Sequence, residues 1–425
     1  MKGNRLKRMF LGAIVYLIVF QNFISKIFEE IFGFGEHFGA IFILLLYALF
    51  FVVSFGKFLY RGRIFKKYSF LALIFIGLFL FLFTKAIFDL GTFSERILGF
   101  INDIFYASIF LFVYLYFRDK IDLQMLVNSL INAGVIAGLI GIAQFLFQRY
   151  LPVFFLDPYK EHYFITFGER LYVRPNGLIG NSIIYAHFMV LIGTLLFSRL
   201  VFSAQPKDFI KFTIVLLANI LVFSRSTPIG SVFIIIIIYA LGRKMRYFNH
   251  KRFFRLVTIG LVLVVVLVAY PKSGIIISNK FINLDYATKM STIYHMKMIE
   301  DAIDTIESNP LLGVGIGTQG PSSKAFEDPI ITDGCWFILL LEIGIPLFVI
   351  YVLFLLLSYG MSFLIFLKTN SLTLKYISLS FIAVSTFFYI ANFVNSAFIG
   401  KVNFISYWLI FGIILAYYRT EVAAR

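Results

Sequence analysis

Cys335 is the single cysteine in 425 residues. That excludes a disulfide framework and any cluster of thiolates around a metal. A lone thiol in an apolar run packs as a small hydrophobe. Charge is also scarce: 14% of the residues are charged, where a soluble domain carries about 25%. The five histidines are scattered without an H-x-x-x-H pair, so neither a structural nor a catalytic metal site is expected, and no cofactor. G-x-S-x-G is missing, which excludes the usual acyl-transfer nucleophile. No internal repeat, low-complexity tail or appended soluble domain interrupts the pattern.

What remains is apolar. Hydrophobic residues make up 60% of the chain and mean hydropathy is +0.91. Repeated apolar runs of this length point to a polytopic membrane protein, all-α. About twelve spans are expected, near 9–25, 38–59, 68–84, 100–117, 123–148, 178–198, 209–223, 228–242, 254–270, 334–357, 376–394 and 402–418, forming one membrane domain over 1–425. The "SRSTP" break at 224–228 reads as a kink at membrane depth. The first span follows "MKGNRLKR" and lacks a small-residue cleavage site, so it reads as a retained anchor.

The net charge of +16 is not spread as a nucleic-acid-binding surface would be. With the N-terminus inside, the inner connections hold 24 of the 38 Lys and Arg but only 4 of the 22 Asp and Glu. This positive-inside bias sets the orientation, with both termini cytoplasmic. Two outer segments are then long, about 149–177 and 271–333. The second holds a polar island, "KMSTIYHMKMIEDAIDTIESNPLLGVGIGTQG" (289–320). Residues 291–308 predict an amphipathic helix stopped by Asn309-Pro310. His295, Ile299, Ala302 and Ile306 share one stripe, with Glu300, Asp301, Asp304 and Glu307 opposite. The glycines of "GVGIGTQG" lack the strand–helix setting of a dinucleotide loop.

Four residues stand out chemically. Arg174 enters a span in "VRPNGLIGNSIIYAHF"; its bland alternative is a snorkelling interfacial arginine. Arg225 lies between two apolar spans in "FSRSTP", where cations are usually paired or functional. His295 is on the apolar stripe of the island. Asp333 opens the span "DGCWFILLLEIGIP", where it can cap the helix or accept a proton beside a low-dielectric region. Glu342, about 180° further round the same helix, reads as a buried, paired acid. Arginine's permanent forked charge matches phosphate. With a carboxylate nearby, the set suits transfer from a diphosphate-activated donor to a hydroxyl.

These blocks resemble, in order, those of the O-antigen ligase and O-antigen polymerase (Wzy-type) superfamily of bacterial cell-envelope glycosyltransferases. They are "RPNGLIGNSIIYA" (174–186), "FSRST" (223–227), "IESNPLLGVGIGT" (306–318) and "DGCWFILLLEIGIPLFVIY" (333–351). The resemblance covers about residues 170–355. It implies a glycosyltransferase C type fold in the bacterial inner membrane with the active site facing the periplasm. It implies undecaprenyl-diphosphate-linked oligosaccharide as substrate and no metal. It also implies diphosphate binding by Arg174 and Arg225. Ligases of the family carry a histidine where this chain has Asp333, which favours a polymerase. The family's further arginine before the Asn-Pro block is replaced here by His295, with Lys289 and Lys297 near it as substitute cations.

The reading is therefore a metal-independent, inverting polysaccharide polymerase. Asp333 is the base, His295 orients the donor or adds charge, and the cations hold the diphosphate. A chain-length regulator and a flippase are its expected partners. A ligase passing glycan to lipid A core or protein is the alternative within the class. A flippase or other transporter is the alternative outside it, disfavoured by the missing repeat halves.

Overall fold

The computed structural model describes the chain except residues 1, 31–44, 46, 50, 54–55, 57–68, 90–92, 157–163, 168–169, 204, 270–285, 320–331, 333, 397, 399–400 and 424–425. Among the described residues nearly all regular structure is helical. In order, the helices are α1 (Lys2–Val19), α2 (Gln21–Glu30), α3 (Ser69–Phe88), α4 (Phe93–Asp103), α5 (Ile109–Tyr116), α6 (Lys120–Phe147), α7 (Val153–Leu156) and α8 (Ser182–Phe202). They continue with α9 (Pro206–Ile220), α10 (Ser226–Gly242), α11 (His250–Ala269), α12 (Tyr286–Ser308), α13 (Cys335–Lys368), α14 (Leu372–Ala391) and α15 (Lys401–Ala423).

Helices cover every expected span except 38–59, most of which lies outside the described residues. Six helical stretches are long and apolar enough to cross a membrane, or seven if the bent first pair is one span. The chain therefore has the character of a multi-pass membrane protein, with fewer full-length spans among its described residues than the twelve expected. α9 and α10 are short for a crossing, at 15 and 17 residues. The expected first span is bent by 76° between α1 and α2, because "QNFISKIFEE" is too polar to continue straight through an apolar layer. The surface fits a lipid setting: Leu139, Ile236, Val265, Val349 and Leu364 are all exposed. A water-soluble monomer rarely leaves so many large apolar side chains outside.

One departure from the all-helical expectation lies in the first outer segment. Phe164–Phe167 pairs antiparallel with Arg170–Val173. The stretch "FITFGERLYV" is rich in aromatic and β-branched residues around a Gly-Glu pair, which is hairpin chemistry.

The helices sort their ends. Asn219 Nδ2 at the end of α9 donates to Ala186 O near the start of α8. Asn403 Nδ2 at the start of α15 donates to Ile184 O. Trp336 N at the start of α13 donates to Asn392 O just past α14. These ends share one face of the bundle with residues 173–181 and 221–225. The opposite face joins Arg419 to Phe117 O and Arg199 to Asp208 at 2.8 Å. The basic connection 243–255 belongs to that face as well.

Candidate active site

The loop before α8 is built around Gln144, a buried amide inside the apolar helix α6. Its Oε1 accepts from the N–H groups of Asn176 and Gly177 at 3.0 and 2.9 Å. Its Nε2 donates to Asn176 Oδ1 at 2.8 Å and to Phe155 O at 2.6 Å. Asn181 then caps α8, accepting from Ile183 N and Ile184 N, as asparagine does well at this position. A second amide, Gln148, accepts from Val173 N at 2.8 Å. Arg174 is thus fixed from both sides by backbone that has nowhere to slide. The sequence reading missed Gln144: a lone glutamine among apolar residues has no period. Its depth in a span was the available signal, since a buried amide demands partners.

From that loop Arg174 reaches the turn between α9 and α10, where its Nε donates to Val222 O at 3.2 Å. Phe223 follows with φ of 52°, a region costly for a bulky residue. The reversal delivers Ser224 and Arg225 at the mouth of α10. Burial, and then the nearby charge of Arg225, lower the pKa of Arg174 to about 10. The structure therefore brings together the two arginines that lie 51 positions apart in the sequence. Arg174 is half-buried, and a guanidinium beside a second cation suits an anion. Ser226 Oγ, at the first residue of α10, lies 3.2 Å from His187 Nε2 and 3.1 Å from Ser224 Oγ.

The polar island closes over a broken helix. α13 is 34 residues long but interrupted at Gly344, where φ is 74°. Ile345 N cannot reach Leu341 O, its normal helical partner, and Pro346 has no N–H to offer Glu342 O. The island supplies partners for Ile345 N and Leu341 O. Ile345 N donates to Pro310 O at 2.8 Å, and Leu341 O accepts from Val314 N at 2.7 Å. Gly313, with φ of 70°, and Gly344 meet backbone to backbone. A Cβ on either would come within 2.3 Å of a carbonyl oxygen, that of Leu341 or Leu311. The glycine cluster serves close packing, not phosphate cradling.

Glu342 ends the first half of α13 and is buried, as its reading as a paired acid anticipates. Its Oε1 accepts from Gln319 N at 2.9 Å, and its carboxyl lies within hydrogen-bonding reach of buried Asp103 at the end of α4. Asp103 Oδ2 and Glu342 Oε2 find no donor among the described residues. On the other side, Asp89 Oδ2 accepts from Ile316 N at 2.9 Å and pairs with Lys85 at 2.9 Å. The island is therefore clamped between the end of α3 and the half-helix 335–343.

Asp333, the expected base, lies outside the described residues. Its neighbour Gly334, with φ of 88°, leads directly into α13 at the site face of the bundle. His295 is half-buried on α12, on the expected stripe with Ile299, buried Ala302 and Ile306. The four acids of α12 are exposed, and the helix ends at Ser308, before Asn309-Pro310. Lys297 is exposed. Lys289 lies in α12, its side chain outside the described residues. Among the described residues, the charge of Arg225 acts on Arg174.

Residues 211–352 match the family model described as O-antigen ligase. The match runs from α9 to the kinked helix α13. It includes Arg225, the island, Asp333 and Glu342, and leaves Arg174 to its N-terminal side. No curated protein matches the chain.

Proposed function

We propose, from the match of residues 211–352 to the family model described as O-antigen ligase, that the chain polymerises lipid-linked oligosaccharide. The growing glycan on its undecaprenyl diphosphate carrier is the donor. A hydroxyl of the incoming repeat unit is the acceptor. The observation that supports this reading is the arginine pair. Arg174 comes from the loop before α8 and Arg225 from the turn before α10, and the charge of Arg225 acts on the guanidinium of Arg174, a setting that suits an anion. Their charges offset the negative charge that grows on the diphosphate as the glycosidic bond breaks. Asp333 takes the acceptor's proton as the new bond forms, with inversion at the anomeric carbon. His295 and the neighbouring Lys289 and Lys297 add positive charge along the outer surface. No metal step is invoked; the guanidinium groups supply the electrostatics.

The family model's own description favours a second reading, a ligase that passes the glycan to a different acceptor. One assay separates them. Purified protein is given a single synthetic lipid-linked repeat unit. A polymerase converts it alone into a ladder of products. A ligase leaves it unchanged until a lipid A core or protein acceptor is added. Arg174→Ala and Arg225→Ala should each abolish either product while insertion and folding persist. Arg→Lys at either position should recover part of the activity, since lysine keeps the charge and loses the fork. Near-normal product from either alanine variant would remove that residue from the mechanism.

A further inference from the structure

His187, which the proposed mechanism does not use, is completely buried in α8. Its Nε2 lies 3.2 Å from Ser226 Oγ, which lies 3.1 Å from Ser224 Oγ. The other ring nitrogen, Nδ1, has no hydrogen-bond partner among the described residues. The ring packs against Phe387 at 5.4 Å between centroids.

These positions set the direction of the hydrogen bonds. A neutral imidazole has one N–H. Buried N–H groups without an acceptor are rarer than buried acceptors without a donor. The proton therefore sits on Nε2, and Nδ1 is the bare nitrogen facing apolar surroundings. Nε2 then donates to Ser226 Oγ. Ser226 Oγ, which accepts from Nε2, can then donate its single hydrogen to Ser224 Oγ. In that arrangement the Ser224 hydroxyl keeps its own hydrogen for a further acceptor. Ser224 precedes Arg225 directly, and Arg174 rests on the carbonyl of Val222, two residues before it. The chain of hydrogen bonds thus runs from the buried histidine to Ser224, the residue before Arg225.

We propose that Ser224 is a hydrogen-bond donor to the diphosphate held by Arg174 and Arg225, and that His187 and Ser226 are the positioning residues that aim it. This rests on the reading of the arginine pair as a diphosphate site. The arginines supply charge and the hydroxyl supplies direction. In a site with little water, a donor already pointed at the anion needs no reorganisation as charge grows there. No proton leaves the chain; the hydroxyl only donates.

The test is binding of inorganic pyrophosphate to the full-length protein in detergent, measured by calorimetry. Ser224→Ala should weaken it by about ten- to a hundredfold, the range for one hydrogen bond to a charged group. Ser226→Ala should weaken it equally, because Ser224 then loses its aim. The double variant should bind no worse than either single one, and Ser226→Thr should bind as the wild type does. Independently, the ¹⁵N spectrum of histidine-labelled wild-type protein, with His187 assigned by His187→Phe, should show the Nε2–H tautomer. Losses that add in the double variant would overturn the relay, as would an Nδ1–H tautomer. If Ser224→Ala binds normally while Arg174→Ala does not, the relay is wrong and the diphosphate site stands. If both arginine variants also bind normally, the diphosphate reading falls and takes the relay with it.

Discussion

Arg174 stays charged at neutral pH in a place that disfavours charge, its pKa lowered to about 10 by burial and then by Arg225. The unfolded chain holds the same proton more tightly, at arginine's ordinary value. The unfavourable contribution is therefore fully present below about pH 10 and fades as pH rises above it. Removing the charge should remove it as well. Arg174→Met should unfold at a temperature a few degrees higher than the wild type without ligand, while losing activity. Pyrophosphate should raise the midpoint of the wild type and leave that of Arg174→Met unchanged. A thermal unfolding series in detergent measures both, and a lower midpoint for the unliganded variant would contradict the argument. Asp333 allows an equally direct test. Asp333→Asn keeps the size of the side chain but not the proton acceptor, so product formation should fall by roughly 10²–10⁴-fold. If Asp333 only caps the helix, asparagine should serve as well and the rate should hold. These residues were legible because charge in an apolar chain is conspicuous. Gln144 and His187 were not: each is a neutral polar group whose importance comes from what it meets across the bundle.

Among the elements, α13 tests the role of the island. Gly344→Ala places a methyl where Leu311 O already lies, at a φ of 74°. Folded yield and thermal midpoint should both drop. Gly360 lies in the same helix with nothing within 4 Å of its would-be Cβ, so Gly360→Ala should be neutral or slightly stabilising. Equal effects at both positions would mean that the break is not held by the island. Glu342→Gln should be tolerated, because an amide can accept from Gln319 N and donate to Asp103, whereas Glu342→Leu leaves both groups without a partner. The helix over 291–308, its stripe and its stop were readable from periodicity and from Asn309-Pro310. The break in α13 was not. "EIGIP" hints at a bend through Gly344 and Pro346, but nothing local says that Pro310 and Val314 complete its hydrogen bonds. The bend after α1 and the 164–173 hairpin were hidden likewise: one inside an apolar run, the other inside a segment read only as loop.

For the molecule as a whole, the question is which face looks outward. The basic connections gather at one end, and the arginine pair, the island and the start of α13 at the other. We expect the basic end to be cytoplasmic. Lys297 and Arg246 are both exposed and suit a labelling test, with buried Cys335 contributing little background. In intact cells, a membrane-impermeant thiol reagent should modify Lys297→Cys and spare Arg246→Cys until the inner membrane is opened. The reverse pattern would invert the orientation and put the proposed chemistry on the wrong side.

The completed helix break also bears on how the protein is made. Pro310 and Val314, which satisfy the open backbone at Gly344, leave the ribosome about thirty residues ahead of it. With the basic end cytoplasmic, as expected, they have to cross the bilayer before the half-helix 335–343 arrives, because an unsatisfied peptide group in lipid costs several kcal/mol. If export of the island lags, the half-helix has no partner and the following span is held up at its entrance. The order of synthesis thus becomes an order of assembly, and a chain with a delayed island should stall during insertion while its finished form remains stable.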